Sequence, residues 1–330
     1  IIKLRFIYLI LRIFSPEIAH SIALNSLKLI HSLGLIRLIA KQDIASTPST
    51  IENLTFKNKL GVAAGLDKNG DYIDALGALG FSFIEVGTIT PLAQPGNAKP
   101  RIFRVFNENA IVNRLGFNNK GVDYLVKKLQ TRKYKGIVGV NIGANKDSDG
   151  NKRISDYVEC FKKVYEYADY ISINISSPNT PNLRDLHNKE NIYSLLASIN
   201  NEKNNFEFTK PIFLKISPDE TLETLEVIVG AVEKFGLSGL ILSNTTVDKS
   251  LLNNKSFVDQ AGGLSGEPLF NKSTKLIESI KNMNASIPII GVGGVISKEH
   301  FNKKIDAGAD LVQIYTGFIL KGPNILFLNY

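Results

Sequence analysis

The sequence of 330 residues predicts an α/β protein built on a closed (β/α)8 barrel, or TIM barrel, with a small N-terminal α-helical domain. From about residue 50, short β-branched runs alternate with segments of helical periodicity, and this alternation is typical of a parallel sheet. Eight such units in about 280 residues match a closed barrel. A doubly wound sheet is the alternative, but it does not need eight units.

Composition and charge exclude several classes of protein. The chain is 44% hydrophobic and 21% charged, so it can bury a substantial core. A single Cys excludes a disulfide framework, a thiolate zinc site and an iron–sulfur cluster ligated within this chain. The four His show no metal-ligand spacing, so no metal site is expected. Residues 1–45 carry six Lys or Arg and two acids, which is half of the net charge of +8.

The N-terminal segment is predicted to be amphipathic and helical. No uncharged run approaches the ~20 residues that span a bilayer. Ser15-Pro16-Glu17 predicts a helix start with Ser15 as the N-cap, and Gly34 predicts its end before a short apolar segment at 35–40. Between them, apolar residues from Ile18 to Leu33 fill one half of a helical wheel, with Leu24 and Ser26 as exceptions. Two interpretations stay open: a helical hairpin packed on the main domain, or a basic amphipathic pair in a membrane surface.

The strands and helices of the barrel follow in order. Strands are predicted at residues 59–63, 82–87, 137–142, 170–175, 212–216, 239–243, 288–292 and 311–315. Helical periods include 154–167, 221–235 and 298–307. The long connections, 88–136 and 244–287, both follow carboxyl ends of strands, where barrel active sites are built.

The predicted ends of the last two strands suit an anion. The seventh ends in Gly293-Gly294 and the eighth in Thr316-Gly317. Their backbone N–H groups could surround a phosphate at a helix N-terminus, as in many barrels. Tight turns that need positive φ are the alternative interpretation.

Lys215 lies inside the apolar fifth strand and ends at the barrel mouth. Burial of an ammonium group is costly without a polar partner, so Lys215 is a candidate functional residue. It could form a Schiff base or remain charged beside an electron-rich cofactor. Lys68 could be a solvated loop cation or a functional group.

Amide side chains also gather at predicted strand ends: Asn113, Asn141, Asn174, Asn179 and Asn244. An amide offers a donor and an acceptor, which suits a planar ring with alternating C=O and N–H groups, although a single Asn often only forms a turn. Carboxylates are scarce there, which disfavours a hydrolytic carboxylate pair and a Mg²⁺ site.

Taken in order, these motifs resemble dihydroorotate dehydrogenase of the membrane-associated, quinone-dependent class (class 2). The resemblance covers nearly the whole chain after residue 50. Its matching stretches include AAGLDKNG (63–70), NRLGFNNKGVD (113–123), INISSPNTPNLR (173–184), PIIGVGGV (288–295) and LVQIYTGFILKGP (311–323). The combination of INISSPNTP with NRLGFNN is highly specific.

The resemblance implies the residues that bind each ligand. One FMN per chain is expected to contact Ala64, Gly65, Leu66, Asp67, Lys68, Thr88, Asn141, Asn174, Lys215, Ser243, Gly266, Gly294, Tyr315 and Thr316. Dihydroorotate is expected to contact Lys68, Asn113, Arg114, Leu115, Gly116, Phe117, Asn174, Asn179, Asn244 and Thr245. Ser243 and Thr316 stand where the family pattern suggests Thr and Ser, and both keep a hydroxyl group.

The resemblance also implies the catalytic roles. Ser177 corresponds to the family's base, which takes a proton from C5 of dihydroorotate while C6 passes a hydride to FMN. Thr180 is expected to assist the proton transfer, and Lys215 to stabilise the reduced ring. Soluble relatives use a cysteine where Ser177 stands, whereas Cys160 is expected to be a buried structural residue.

The same resemblance implies the partners and the domains. Residues 1–45 are expected to form the membrane and quinone-access domain, and residues 46–330 the FMN-binding catalytic barrel. Ubiquinone or menaquinone is expected to accept the electrons in pyrimidine (UMP) biosynthesis. The expected location is peripheral, on the cytoplasmic face of the inner membrane if the chain is bacterial. No nucleic acid and no iron–sulfur partner subunit are expected.

Three rival functions remain open from the sequence. One is another FMN barrel such as a tRNA dihydrouridine synthase, which would need a catalytic Cys and a basic RNA-binding face. The second is a Schiff-base lyase that uses Lys215. The third is a non-catalytic membrane-surface protein.

Overall fold

A computed structural model of the chain describes residues 10–40, 48–180, 183–207 and 209–327. The predicted domain boundary at residues 45 and 46 lies outside the described residues. The first nine residues of the opening segment also lie outside them.

The predicted closed barrel is confirmed. In chain order the strands are β1 Ser49–Ile51, β2 Leu54–Phe56, β3 Leu60–Val62, β4 Phe83–Ile89, β5 Ile102–Val105, β6 Ala110–Asn113, β7 Ile137–Ile142, β8 Tyr170–Asn174, β9 Ile212–Ile216, β10 Gly239–Leu242, β11 Gly263–Gly266, β12 Ile289–Val292 and β13 Leu311–Ile314. The barrel consists of β3, β4, β7, β8, β9, β10, β12 and β13, paired in parallel in that order until β13 closes on β3. These are the eight predicted strands, within two residues at each end.

The helices cover the outside of the barrel. They are α1 Pro16–Ser32, α2 Ile73–Gly77, α3 Val122–Thr131, α4 Gly150–Val164, α5 Lys189–Lys203, α6 Leu222–Lys234, α7 Phe270–Met283, α8 Lys298–Asp306 and α9 Thr316–Lys321. The prediction of 154–167 for α4 is displaced by three to four residues. The first turn of α4 is polar, so its hydrophobic pattern begins only at Ile154.

Two small sheets lie outside the barrel and were not predicted. The antiparallel hairpin of β1 and β2 contributes Ile51 and Phe56 to a core that also contains Phe83, Tyr170 and Phe213. The antiparallel sheet β5–β6–β11 joins the two long connections, because β5 and β6 come from one and β11 from the other. It therefore lies beside the carboxyl ends of the barrel strands.

Helix α1 begins at Pro16 and is followed by the left-handed Gly34, as predicted, but the Ser15 side chain makes no capping hydrogen bond. The predicted apolar segment at 35–40 contains a single 3₁₀ turn at Leu35–Leu38. The wheel is partly wrong. Leu24, an exception to the wheel, is buried in the main core with Leu27, whereas four predicted apolar-face residues are exposed: Ile18, Ile22, Leu29 and Leu33.

The contact of α1 with the rest of the molecule is therefore narrow. Leu24 and Leu27 share one core with Leu76 of α2 and Phe318 of α9. Among the described helices, none combines the length and the apolar character that crossing a membrane requires. Packing on the main domain and exposure of an apolar surface both occur in α1.

Candidate active site at the barrel mouth

A cavity lies at the carboxyl ends of the barrel strands, and it collects most of the predicted site residues. Its walls include Ala64, Gly65, Lys68, Thr88, Asn113, Leu115, Gly116, Phe117, Asn174, Ser177, Asn179, Lys215, Ser243, Asn244, Thr245, Gly266, Gly294, Tyr315 and Thr316. Residues far apart in sequence meet there because every parallel strand of a barrel ends at the same face. The roles of these residues stay predictions.

Beneath the cavity, Glu85 organises the barrel interior. It is fully buried; Oε1 accepts a hydrogen bond from Nδ2 of Asn141 at 2.8 Å, and Oε2 accepts from the Tyr170 hydroxyl at 2.9 Å and from Nε2 of Gln313 at 2.8 Å. Nζ of Lys215 lies 3.8 Å from Oε1 of Glu85. Burial lowers the pKa of Lys215, and the Glu85 charge opposes that shift. The Glu85 carboxylate is thus surrounded by four polar side chains, those of Asn141, Tyr170, Gln313 and Lys215.

The amide side chains form a connected row across the mouth. Nδ2 of Asn174 donates to Oδ1 of Asn141 at 3.1 Å and to Oγ1 of Thr88 at 2.9 Å. Nδ2 of Asn244 donates to Oγ of Ser176 at 2.9 Å, and that hydroxyl donates to Oδ1 of Asn174 at 2.8 Å. These hydrogen bonds fix the orientation of each Asn side chain, and so whether its oxygen or its nitrogen is available to a ligand.

Ser177 lies in the loop that follows β8. Its side chain is buried, lines the cavity, and accepts a hydrogen bond at Oγ from the backbone N–H of Asn179 at 3.2 Å. Thr180, three residues later, is also buried but does not line the cavity. A serine hydroxyl held in a water-poor site is placed for proton transfer with a bound ligand.

Two positions at the far side of the mouth require glycine because of their backbone conformation and their close protein neighbours. Gly266 and Gly294 have φ of +97° and +78°. A Cβ at Gly266 would collide with the carbonyl of Asn109, and one at Gly294 would collide with Phe270. The hydroxyls of Ser265 and Thr316 lie 2.9 Å apart beside them. Both glycines line the cavity, and the phosphate site expected there stays a prediction.

Five predicted site residues do not line this cavity. Asn141 is fully buried beneath the cavity, where its Oδ1 accepts the hydrogen bond from Asn174. Arg114 instead donates to the carbonyl of Pro100 at 2.8 Å. The carboxylate of Asp67 accepts from the backbone N–H groups of Asp71 and Tyr72, at 3.0 and 2.7 Å. The complete set is Leu66, Asp67, Arg114, Asn141 and Thr180.

Several lining residues were missed from the sequence. They are Ala63, Ser265, Leu269, Val292, Val295, Gln313 and Ile314, whereas Gly293 and Gly317 were predicted as part of the anion site and also line the cavity. Gln313 is a fully buried polar residue inside a predicted strand, and this pattern was the signal that could have identified it. Ser265 lies in β11 beside Gly266, which was predicted as an FMN contact, but no strand was predicted there.

A second cavity, of about 550 Å³, lies between α1 and the barrel. It shares Lys68, Leu115 and Tyr315 with the first cavity, so the two are adjacent. Burial, together with the charge of Lys68, lowers the pKa of His20 in its wall to about 4. Burial, together with the charge of Arg101, lowers the pKa of Lys68 to about 8, and its Nζ donates to the carbonyl of Gly65 at 2.8 Å.

Comparison with known proteins decides the family. The model of the family "Dihydroorotate dehydrogenase" matches residues 46–327. The chain belongs to the dihydroorotate dehydrogenase family. It is 47% identical to a dihydroorotate dehydrogenase (quinone) of Acinetobacter baylyi over 319 residues, covering 94% of each chain. It is 46% identical over 316 residues to one of Escherichia coli, with the same coverage.

The fold agrees with solved dihydroorotate dehydrogenase structures. The crystal structure of DHODH from Eimeria tenella in complex with ferulenol superposes with a TM-score of 0.84 at 34% identity, covering 94% of this chain and 89% of that one. Ligand-free DHODH from the same organism gives a TM-score of 0.83. The likeness extends beyond the matched family region, because 94% of the chain is covered and residues 46–327 are a smaller share of it.

Membership of the dihydroorotate dehydrogenase family makes the chain an oxidoreductase that acts on dihydroorotate, which decides against the three rival functions. Cys160 is the only Cys in the sequence, so it is the only candidate for the catalytic Cys that a dihydrouridine synthase would need. It is fully buried in α4 and lines neither cavity. Burial raises the pKa of its thiol well above the usual value. Among the described residues, no three His, Cys, Asp or Glu side chains are grouped to hold a metal ion.

Proposed function

We propose that the chain oxidises (S)-dihydroorotate to orotate at the barrel mouth, with FMN as hydride acceptor and a quinone as final electron acceptor, in de novo pyrimidine biosynthesis. One observation carries this proposal. A single cavity holds Ser177, Lys215 and four Asn side chains, in a chain 47% identical to a dihydroorotate dehydrogenase (quinone).

The residues at the mouth fit FMN. Oε1 of Gln313 is buried without a hydrogen-bond partner in a cavity that also contains the buried Lys215 ammonium group. Gly266 and Gly294 line the cavity together with Ser265 and Thr316, whose hydroxyl groups are donors suited to a phosphate. We assign the flavin ring and phosphate to Ala64, Gly65, Thr88, Asn174, Lys215, Ser243, Gly266, Gly294, Tyr315 and Thr316. When bound, FMN supplies the acceptor for the hydride that leaves C6.

Substrate binding is assigned to the amides and to two further side chains. Asn113, Asn174, Asn179 and Asn244 offer donors and acceptors to the ring, and Lys68 offers a cation to the carboxylate. Thr245 also lines the cavity, and its Oγ1 is buried without a hydrogen-bond partner. A hydroxyl in that state is available to a ligand.

Ser177 is assigned as the base that takes the proton from C5. Serine is a weak base in water, so the assignment depends on the burial of its hydroxyl and on a route for the proton, for which Thr180 is close in sequence. The ammonium group of Lys215 stabilises negative charge that develops during hydride transfer. This role favours a charged lysine, not a Schiff base.

The second cavity is assigned to the quinone. It is lined largely by apolar residues of α1 and the barrel, including Ala19, Leu24 and Phe318, and it adjoins the first cavity at Tyr315. A flat apolar electron acceptor would therefore approach the flavin site without displacing dihydroorotate.

The N-terminal segment is assigned to a membrane surface, in peripheral association. Exposed large apolar side chains are concentrated there, at Ile10, Ile13, Phe14, Ile18, Ile22, Leu29, Leu33, Leu35 and Leu38. Basic neighbours such as Arg12, Lys28 and Arg37 suit an anionic lipid surface.

The test is a two-step absorbance experiment under anaerobic conditions. Dihydroorotate is expected to bleach the flavin of the purified protein, and a soluble quinone analogue to restore the colour, while NAD⁺ does not. A sample whose flavin keeps its colour with excess dihydroorotate would contradict the proposed reaction. Recolouring by NAD⁺ and not by the quinone would contradict the proposed acceptor.

A further inference from the structure

A largely buried arginine connects three strand ends around the candidate site. Arg184 lies in the 3₁₀ turn Leu183–His187, and each of its three nitrogens donates to a different segment. Nε donates to the carbonyl of Ser176 at 3.3 Å, Nη1 to Oδ2 of Asp219 at 3.0 Å, and Nη2 to the carbonyl of Thr245 at 3.2 Å. The three acceptors follow β8, β9 and β10 in turn.

Asp219 is the anchor of this arrangement. Its Oδ1 accepts from Nζ of Lys272 at 2.6 Å and from the Thr246 hydroxyl, and its Oδ2 accepts from the backbone N–H of Val247 at 2.9 Å as well as from Arg184. Burial raises the pKa of Asp219, but the hydrogen bonds from Lys272, Thr246 and Val247 outweigh it, and the net shift is downward. The carboxylate is therefore a fixed negative charge.

The segments joined by Arg184 are the ones that carry the proposed chemistry. The Ser176 carbonyl immediately precedes Ser177, and the Thr245 carbonyl belongs to a residue that lines the cavity with Asn244. Neither Arg184 nor Asp219 lines the cavity itself. A planar guanidinium group fixes the directions of all three hydrogen bonds at once, which a lysine cannot do.

We propose that Arg184 and Asp219 form a positioning pair that sets the placement of Ser177 and Thr245 relative to the substrate; this inference rests on the function proposed above. A displacement of about 1 Å at a reacting group can reduce a rate about 100-fold. The pair therefore acts on the chemical step and contributes little to ligand affinity.

The experiment uses the FMN-loaded enzyme in anaerobic stopped-flow measurements. Arg184→Ala is expected to lower the limiting rate of flavin bleaching by dihydroorotate about 100-fold. The dissociation constant of orotate, measured from the flavin absorbance, should change less than about 3-fold, and the FMN content should be unchanged. Arg184→Lys, which keeps the positive charge but not the planar set of N–H donors, is expected to lower the bleaching rate about 10-fold.

Two variants serve as matched controls. Lys303→Met removes an exposed ion pair with Glu299 on α8, outside the Asp219 network, and its bleaching rate should stay within about 2-fold of the parent. Arg132→Ala removes a second Arg–Asp pair, in which Nη2 of Arg132 donates to Oδ2 of Asp169 at 2.9 Å at the opposite end of β8. It should also keep its bleaching rate.

Chemical rescue separates positioning from general stability. Added guanidinium is expected to restore at least about 10-fold of the lost rate in Arg184→Ala, and none in Arg132→Ala. If Arg184→Ala does not fold, Asp219→Asn, which keeps the side-chain size, should show the same loss of rate at unchanged orotate affinity.

The outcomes distinguish this inference from the proposed function. If dihydroorotate bleaches the parent and Arg184→Ala at the same rate, the positioning pair is wrong and the proposed function stands. Absence of rescue, or loss of rate only in parallel with FMN, also overturns the pair. If the parent enzyme is not bleached, the proposed function fails and the pair's role fails with it.

Discussion

The barrel mouth and the cavity beneath α1 adjoin each other, yet they are fixed by different means. The mouth is formed at the ends of eight hydrogen-bonded strands, over a buried network centred on Glu85. The second cavity depends for one wall on α1, whose buried residues are Ala19, Leu24 and Leu27. The geometry of the mouth is therefore tied to global folding, whereas that of the second cavity is tied to the docking of one helix.

The largest expected effect is at the mouth. Ser177→Ala removes the proposed base, so the rate of flavin bleaching by dihydroorotate should fall about 100- to 10,000-fold, because general-base catalysis contributes in that range. Reoxidation of chemically reduced enzyme by a soluble quinone should be unchanged, since the second cavity is untouched. Ser198→Ala, an exposed serine on α5, is the control. Normal bleaching by Ser177→Ala would refute the assignment of the base.

The next effect is at the docking of α1. Leu24→Ala leaves a cavity in the shared core and should lower the free energy of unfolding by about 2–4 kcal/mol, measured by urea denaturation. The KM for quinone should rise while the rate of flavin bleaching stays the same. Leu29→Ala, the same substitution at an exposed site of the same helix, should do neither. If Leu24→Ala slows flavin bleaching and quinone reduction equally, the two cavities do not depend on separate parts of the structure.

The two regions also differ in how far the sequence predicted them. Barrel strands carry a local signal, short β-branched runs, and their parallel pairing brings Asn174, Lys215 and Asn244 together without knowledge of side-chain packing. The second cavity has no comparable signal. Whether Ile22 or Leu24 faces the barrel depends on the rotation of α1, and a wheel with apolar residues on most sides does not determine it. Short edge strands such as β11 were missed because their pairing is nonlocal.

A pH effect is expected at the second cavity. Burial lowers the pKa of His20 to about 4, below its ordinary value near 6.5, so the folded protein disfavours the charged ring. No stability is lost above pH 6.5, and the loss grows as the pH falls from 6.5 to about 4, to at most about 3 kcal/mol. The unfolding free energy of His20→Gln should therefore rise relative to that of the parent as the pH is lowered from 7 to 5. A difference independent of pH would contradict this origin.

The smallest effect is expected at the ion pair that joins the start of α1 to the loop that precedes β5. Oε1 of Glu17 accepts from Nε of Arg101 at 2.8 Å, Oε2 accepts from Nη2 at 3.1 Å, and Nζ of Lys99 lies 3.0 Å from Oε2. Burial raises the pKa of Glu17, but the hydrogen bonds from Arg101 and Lys99 outweigh it, so the net shift is downward. Its stabilisation is thus present above the ordinary carboxyl pKa and is lost as the pH falls through the lowered value.

Glu17→Gln keeps the shape and removes the charge, so it should cost about 1 kcal/mol of unfolding free energy at pH 7, because the carboxylate is partly exposed to solvent. The cost should shrink at acidic pH, in contrast to the His20 effect, which grows there. Glu299→Gln, which removes an exposed i,i+4 pair with Lys303 far from α1, is the control and should leave quinone kinetics unchanged. If Glu17→Gln alters flavin bleaching more than quinone reduction, α1 acts on the barrel mouth, and the two cavities are not separately fixed.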